Sequence, residues 1–102
     1  MKVAPVLAAL GDESRLEIVI KLCRNGPQSI TRLSEGAAIS RQGVTKHLHA
    51  LRRAGLARSE RQGRERIWKL EPKRLEEVRR YLAQISRQWD DALARLRAAV
   101  EE

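Results

Sequence analysis

The chain has one cysteine, no phenylalanine, two tryptophans, one tyrosine and three prolines among its 102 residues. A single thiol, Cys23, allows no internal disulfide, and a reducing cytoplasm is the expected compartment. The longest apolar stretches fall far short of the roughly 18 residues that a bilayer-spanning helix needs, so no membrane segment is expected. The run Met1 to Leu10 has the makings of a short export-signal core. Charged Asp12, Glu13 and Arg15 follow it without a convincing cleavage site, and no export signal is read. No Ser/Gly-rich linker, low-complexity tract or internal repeat divides the sequence, which predicts one domain over residues 1–102. Also missing are a phosphate-binding glycine loop, a Ser/His/Asp order and a paired-carboxylate setting, so no enzyme chemistry is expected. Asp90-Asp91 reads as a solvated pair on a helix.

What the sequence does have is charge, and the charge is unevenly placed. The net charge is +8, yet residues 40–70 hold nine Lys/Arg against two Glu, while the flanking segments are close to neutral. Concentrated positive charge is the footprint of a phosphate-binding surface, because each neutralised phosphate releases counterions. Acidic proteins and membranes can use the same surface, and a solvated face needs no partner at all. A composition 42% hydrophobic and 33% charged suits a helical protein with a charged exterior. A domain this short leaves apolar surface poorly covered unless it finds a partner.

Val3, Val6, Leu7 and Leu10 lie at helical spacing and predict a first helix ended by Gly11. Asp12 or Ser14 caps a second, with Ser14-Arg15-Leu16-Glu17 matching a capping box. Leu16, Val19, Ile20 and Cys23 form an apolar stripe up to Asn25-Gly26-Pro27, and Ile18 and Leu22 add a second apolar side, which predicts a helix central in the core. Ser29 caps a third helix through Glu35, ended by Gly36. Ser40 caps a fourth from about Arg41 to Ala54, closed by Gly55, with Val44, Leu48 and Leu51 inward. Two short helices joined by a Gly-containing turn are the sequence form of a helix-turn-helix.

From Leu56 to Leu70 the pattern becomes strand-like and predicts a β-hairpin turning at Gly63, with Trp68 and Leu70 on one face over the helices. Glu71-Pro72 closes it. In residues 73–101, Leu75, Val78, Leu82, Ile85, Trp89, Ala92, Leu96 and Ala99 alternate spacings of three and four. Such a helix, of about 28 residues, extends about 42 Å, more than this domain can cover. Part of its seam is expected to meet another chain, and part to fold back on its own core. The expected fold is mainly α with a small β-hairpin.

With Val44, Leu48 and Leu51 inward, the opposite face of the fourth helix carries Gln42, Lys46, His49 and Arg53, flanked by Ser40, Arg41 and Thr45. Arg and Gln can bond guanine and adenine edges as forks, and Thr and Lys add contacts to bases and phosphates. Gly43 leaves room for close approach. In the hairpin, Arg58, Arg61, Gln62, Gly63, Arg64 and Arg66 cluster about a projecting turn, where the arginines can straddle phosphates or enter a minor groove. Charge on an edge strand also guards against aggregation, but four arginines exceed that need.

Three runs carry a family resemblance: Leu10 to Ile18, Ser40 to Leu51 with Ala54-Gly55-Leu56, and Gly63 to Leu70. Over roughly residues 7–100 the chain resembles the arsenical-resistance-repressor (ArsR) family of winged helix-turn-helix regulators. That resemblance implies a homodimer through the first and last helices, with Val3, Leu7, Leu82, Ile85, Trp89 and Leu96 at the interface. It also implies the fourth helix in the major groove of double-stranded DNA, the hairpin as wing, and repression from a pseudo-palindromic operator. The third helix, Ile30 to Glu35, lacks the cysteine pair of the metal-sensing members, and the last helix has no histidines. His47 and His49 lie on different sides of their helix and Cys23 on an apolar stripe, so no metal and no cofactor is expected. The stretch Gln88 to Leu96 is similar to a metal-free branch often encoded beside START-like or Hsp90-ATPase-activator-like proteins. A winged-helix module that holds an acidic protein, or an architectural DNA binder without sequence preference, is the competing reading.

Overall fold

The computed structural model describes residues 2–101. These form α1 (Val3–Leu10), α2 (Glu13–Asn25), β1 (Gln28–Ser29), α3 (Ile30–Ser34), α4 (Arg41–Arg53), β2 (Ala57–Gln62), β3 (Glu65–Leu70) and α5 (Pro72–Glu101). The architecture is a winged helix-turn-helix, mainly helical with one small antiparallel sheet. Side-chain caps define the starts of α2, α3 and α4. Asp12 accepts the amide of Arg15 at 3.0 Å, Ser29 that of Arg32 at 3.2 Å and Ser40 that of Gly43 at 3.1 Å, each satisfying a donor left free by the first turn. Asp12, not Ser14, is therefore the cap of α2.

The core is built where the helices cross the sheet. Leu33, Val44, Leu48, Leu51, Leu56 and Trp68 are fully buried, with Val6, Ile18, Val19, Leu22, Ala57 and Val78 around them. Helix α2 presents Ile18, Val19 and Leu22 to this core. Leu16 (45% exposed), Ile20 (40%) and Cys23 lie on its outer side, so the helix borders the core on one apolar side and is not central in it, contrary to expectation. The helix is apolar on two sides, and the side that meets α4 and β3 is the one carrying Ile18 and Leu22.

The sheet has the order β1-β3-β2, so the hairpin has an unanticipated third strand. Gln28 pairs with Trp68 and Ser29 with Ile67. Two residues are too few to show a period, and Ser29 serves both the strand and the cap of α3. At the C-terminus of α4, Leu56 donates to the Leu51 carbonyl at 3.0 Å and Gly55 to that of Arg52 at 2.9 Å. Gly55 has φ 78°, a left-handed conformation that favours glycine, and a Cβ there would only displace the flexible end of the Arg74 side chain, whose Nε lies 2.8 Å away.

The first turns of α5 fold onto the domain through Leu75 and Val78. Beyond them the helix projects, giving overall extents of 65 × 28 × 22 Å. Its apolar stripe is bare there, with Trp89 65%, Leu96 63% and Val100 86% exposed.

Truncating Leu48, which is fully buried on the inner side of α4, leaves a cavity beneath that helix. Leu48→Ala is expected to cost about 2–5 kcal/mol in urea unfolding, and a loss below about 1 kcal/mol would contradict the assigned core.

Candidate nucleic-acid interface

Helix α4 has no acidic residue, and its polarity follows from its packing. Once Val44, Leu48 and Leu51 are buried, Arg41, Gln42, Lys46, Arg52 and Arg53 are left exposed. Four of the expected contact residues, Arg41, Gln42, Lys46 and Arg53, thus share one open surface. Ser40 is the cap at its entry. Thr45 donates its hydroxyl to the Arg41 carbonyl at 3.0 Å, which leaves its methyl and a lone pair. Two others sit differently from expectation. A Cβ on Gly43 would meet Oγ of Ser40 at 3.4 Å and the Ile39 side chain at 3.5 Å, so this residue backs onto the turn before the helix. His49 is half-buried, its ring packed edge-on to Trp68 with centroids 5.6 Å apart.

Arg52, which sequence reasoning passed over, holds its guanidinium 5.8 Å from the Trp68 ring centroid. Its spacing of three from His49 was the available signal, because that spacing puts both over one neighbour. Trp68 is thereby a joint between wing and recognition helix. Its Nε1 is buried with no hydrogen-bond partner among the described residues.

In the wing, register sorts the arginines. Residues directly opposite in an antiparallel pair share a face. Ala57 faces Leu70, Ser59 faces Trp68 and Arg61 faces Arg66, so Arg61 and Arg66 extend the buried face of the sheet beyond the core. Arg66 donates to Oγ of Ser59 at 2.9 Å, and Nε of Arg61 to the Gly63 carbonyl at 3.4 Å. Gly63 (φ 63°) and Arg64 form the two-residue turn between Gln62 and Glu65, with glycine at the first central position that a type II′ turn favours. Arg58 does not belong to this tip. It lies at the base on the other face, opposite Lys69, 3.5 Å from a carboxylate oxygen of Glu71. Lys69 and Glu60 pair at 2.6 Å on that face too, and the hydrogen bond from Lys69 holds the Glu60 carboxyl below its ordinary value. Acidic neighbours thus engage the outer face, while the inner face at the tip keeps its positive charge.

Behind the exposed side of α4, His47 is half-buried with Nδ1 3.4 Å from a guanidinium nitrogen of Arg15 and Nε2 4.0 Å from Oδ1 of Asp12. Cys23 is exposed on α2. Among the described residues, no three His, Cys, Asp or Glu side chains converge as metal ligands would.

A helix-turn-helix domain family matches residues 10–60. An ArsR-like transcriptional regulator from a Rhodococcus species superposes with a TM-score of 0.74 at 39% identity, over 92% of this chain and 88% of that one. The chain belongs to the ArsR family of transcriptional regulators. It is also 39% identical over 69 residues to the HTH-type transcriptional regulator NmtR of Mycobacterium tuberculosis. That match takes in 68% of this chain but 57% of NmtR, so the chain spans little more than half of that relative. A homodimeric winged helix-turn-helix DNA-binding domain from Mycobacterium bovis, a possible ArsR-family regulator, is 25% identical with a TM-score of 0.66, over 89% and 81% of the two chains. In this ArsR-family chain, the region matched to the family contains both helices of the motif and the start of the wing.

The cap of α2 gives a test by pH. Asp12 is held below its ordinary value of 3.8, chiefly because its carboxylate accepts the Arg15 amide, with the nearby guanidinium adding to the effect. A depressed folded-state value contributes stability that is present above the unfolded value and lost as pH falls through the folded one. Asp12→Asn keeps a capping oxygen but cannot titrate. Its thermal midpoint is expected to fall less steeply than the wild type's below pH 3.8, and identical acid limbs would remove Asp12 from the account.

Proposed function

We propose that this protein is a transcriptional repressor that acts as a homodimer on a pseudo-palindromic operator in duplex DNA. The reading rests on one observation: the exposed, acid-free side of α4, with Arg41, Gln42, Lys46 and Arg53, is accompanied by a wing tip whose inner face carries Arg61 and Arg66 in direct opposition. Two like charges opposite one another weaken a hairpin in water. Phosphates between or beside them reverse the sign of that effect, because each arginine gains a charge-assisted bond.

The roles divide by chemistry. Arg41, Gln42 and Lys46 read base edges in the major groove, and Arg53 holds phosphate beside it. Arg61, Arg64 and Arg66 hold the backbone or the adjacent minor groove. Ser40 orients α4, and Thr45 offers its methyl. Gln62 and Gly63 shape the tip, and Arg58 keeps the wing upright through Glu71. His49 acts through Trp68. The protein works by occupying DNA, in the cytoplasm, and not by catalysis.

Dimerisation uses α1 and α5. Val3 and Leu7 lie half-buried on α1, which packs against α5, and Leu82, Ile85, Trp89 and Leu96 continue the stripe along the projecting helix. Symmetry then presents two reading helices to half-sites about one helical turn apart, roughly 34 Å.

Binding selection from random duplexes over a salt series tests the function. A symmetric motif is expected, with affinity falling steeply as salt rises. Arg41→Ala, Gln42→Ala and Lys46→Ala together are expected to reduce specific binding to the nonspecific level, a loss of at least about a thousandfold. Retained specificity would remove α4 from the reading role, and binding with no motif would favour an architectural role. For the dimer, Leu96→Glu puts a charge on the bare stripe and is expected to give a folded monomer in sedimentation equilibrium. An unchanged dimer mass would place the interface elsewhere.

A further inference from the structure

Arg15 belongs neither to the reading surface nor to the bare stripe of α5, yet its guanidinium joins three helices. From the first turn of α2 its Nε donates to the Ala9 carbonyl at 2.6 Å, and one terminal nitrogen lies 3.5 Å from the Ala8 carbonyl. Both oxygens are in the last turn of α1, where the helix end is partially negative, and that of Ala8 also accepts the Gly11 amide at 3.2 Å. The other terminal nitrogen faces Nδ1 of His47, in the middle of α4, at 3.4 Å. A guanidinium has donors and no acceptor, so Nδ1 accepts, and the ring proton sits on Nε2, turned toward Asp12. Asp12 in turn accepts the Arg15 amide. Among the described residues no other side-chain hydrogen bond links α1 to α4.

We propose that Arg15 is the positioning residue that fixes the angle between the recognition helix and the dimer helix, and so sets the half-site spacing the protein accepts. The inference rests on the DNA-binding dimer proposed above. In a two-fold dimer each reading helix lies about 17 Å from the axis, half of one helical turn of DNA. The two-fold mirrors any shift, so moving each reading helix along the DNA by about 1.7 Å changes the spacing by about 3.4 Å, the rise of one base pair. A joint that holds α4 to within a few degrees of α1 therefore decides which spacing fits. Arg15 suits this task because one planar group spans both helices. Lysine keeps the charge but is a point donor that cannot hold both ends in fixed geometry.

The test measures affinity for the selected operator and for versions with the half-sites moved one base pair closer or farther, using Arg15→Lys, His47→Leu and, as a control, Arg24→Lys on the outer side of α2. The wild type and the control are expected to prefer their own spacing by about tenfold or more. Arg15→Lys is expected to flatten the preference to within about threefold while the dimer mass and the bases read in each half-site stay the same. His47→Leu, which removes the acceptor at the α4 end and leaves the α1 end, is expected to do likewise. A preference kept by both variants would overturn the joint and leave the DNA-binding reading intact. Equal weakening at every spacing, with a lowered thermal midpoint, would also overturn it, by reducing Arg15 to a stability role. A wild type that binds no duplex at all would overturn the joint and the reading beneath it together.

Discussion

Burial of Val44, Leu48 and Leu51 under α4 is the constraint on which the rest depends. Those three side chains, each at most 1% exposed, fix the rotation of the helix about its own axis. A helix advances about 100° per residue, so a fixed inner side leaves no freedom in what faces outward. Arg41, Gln42, Lys46 and Arg53 are aimed by the packing of residues they never touch. A core side chain of the wrong shape there would not only cost stability but also turn those four side chains to a different direction.

Electrostatics and packing divide the labour. At the base of the wing, Arg58 meets Glu71 and Lys69 meets Glu60, so the outer face is locally balanced. At the tip the balance ends, and Arg61 stands opposite Arg66 on the face continuous with Trp68. Trp68 transmits the wing's position to α4 through the ring of His49 and the guanidinium of Arg52. The wing and the recognition helix are consequently one mechanical unit, with a hydrophobic hinge inside and an unbalanced charge outside.

Much of this was legible in the sequence, for identifiable reasons. Helix α4 could be bounded to within a residue because Ser40 and Gly55 are strong and opposite signals at its ends. The turn at Gly63 was equally plain. Helix α2 misled because it is apolar on two sides, and periodicity does not say which side meets the core. Counting along the chain put Arg58 with the tip arginines, whereas strand register puts it at the base and on the other face. Strand β1 has two residues and no period to read. The contact of Arg15 with His47 spans 32 residues and depends on how α1, α2 and α4 cross, which no local pattern encodes. The heptad stripe of α5 was visible as a stripe, but nothing in a single chain specifies what lies against it.

The two tryptophans are placed in opposite surroundings. Trp68 is 1% exposed in the core between wing and recognition helix, and Trp89 is 65% exposed on the projecting helix. Indole emission shifts to shorter wavelength as water is excluded, so the molecule carries a separate optical reporter for each level of its organisation. Light from Trp68 follows the integrity of the individual fold, and light from Trp89 follows the covering of the α5 stripe. A shift to shorter wavelength beyond that of the folded chain would therefore report the dimerisation proposed above without any added label.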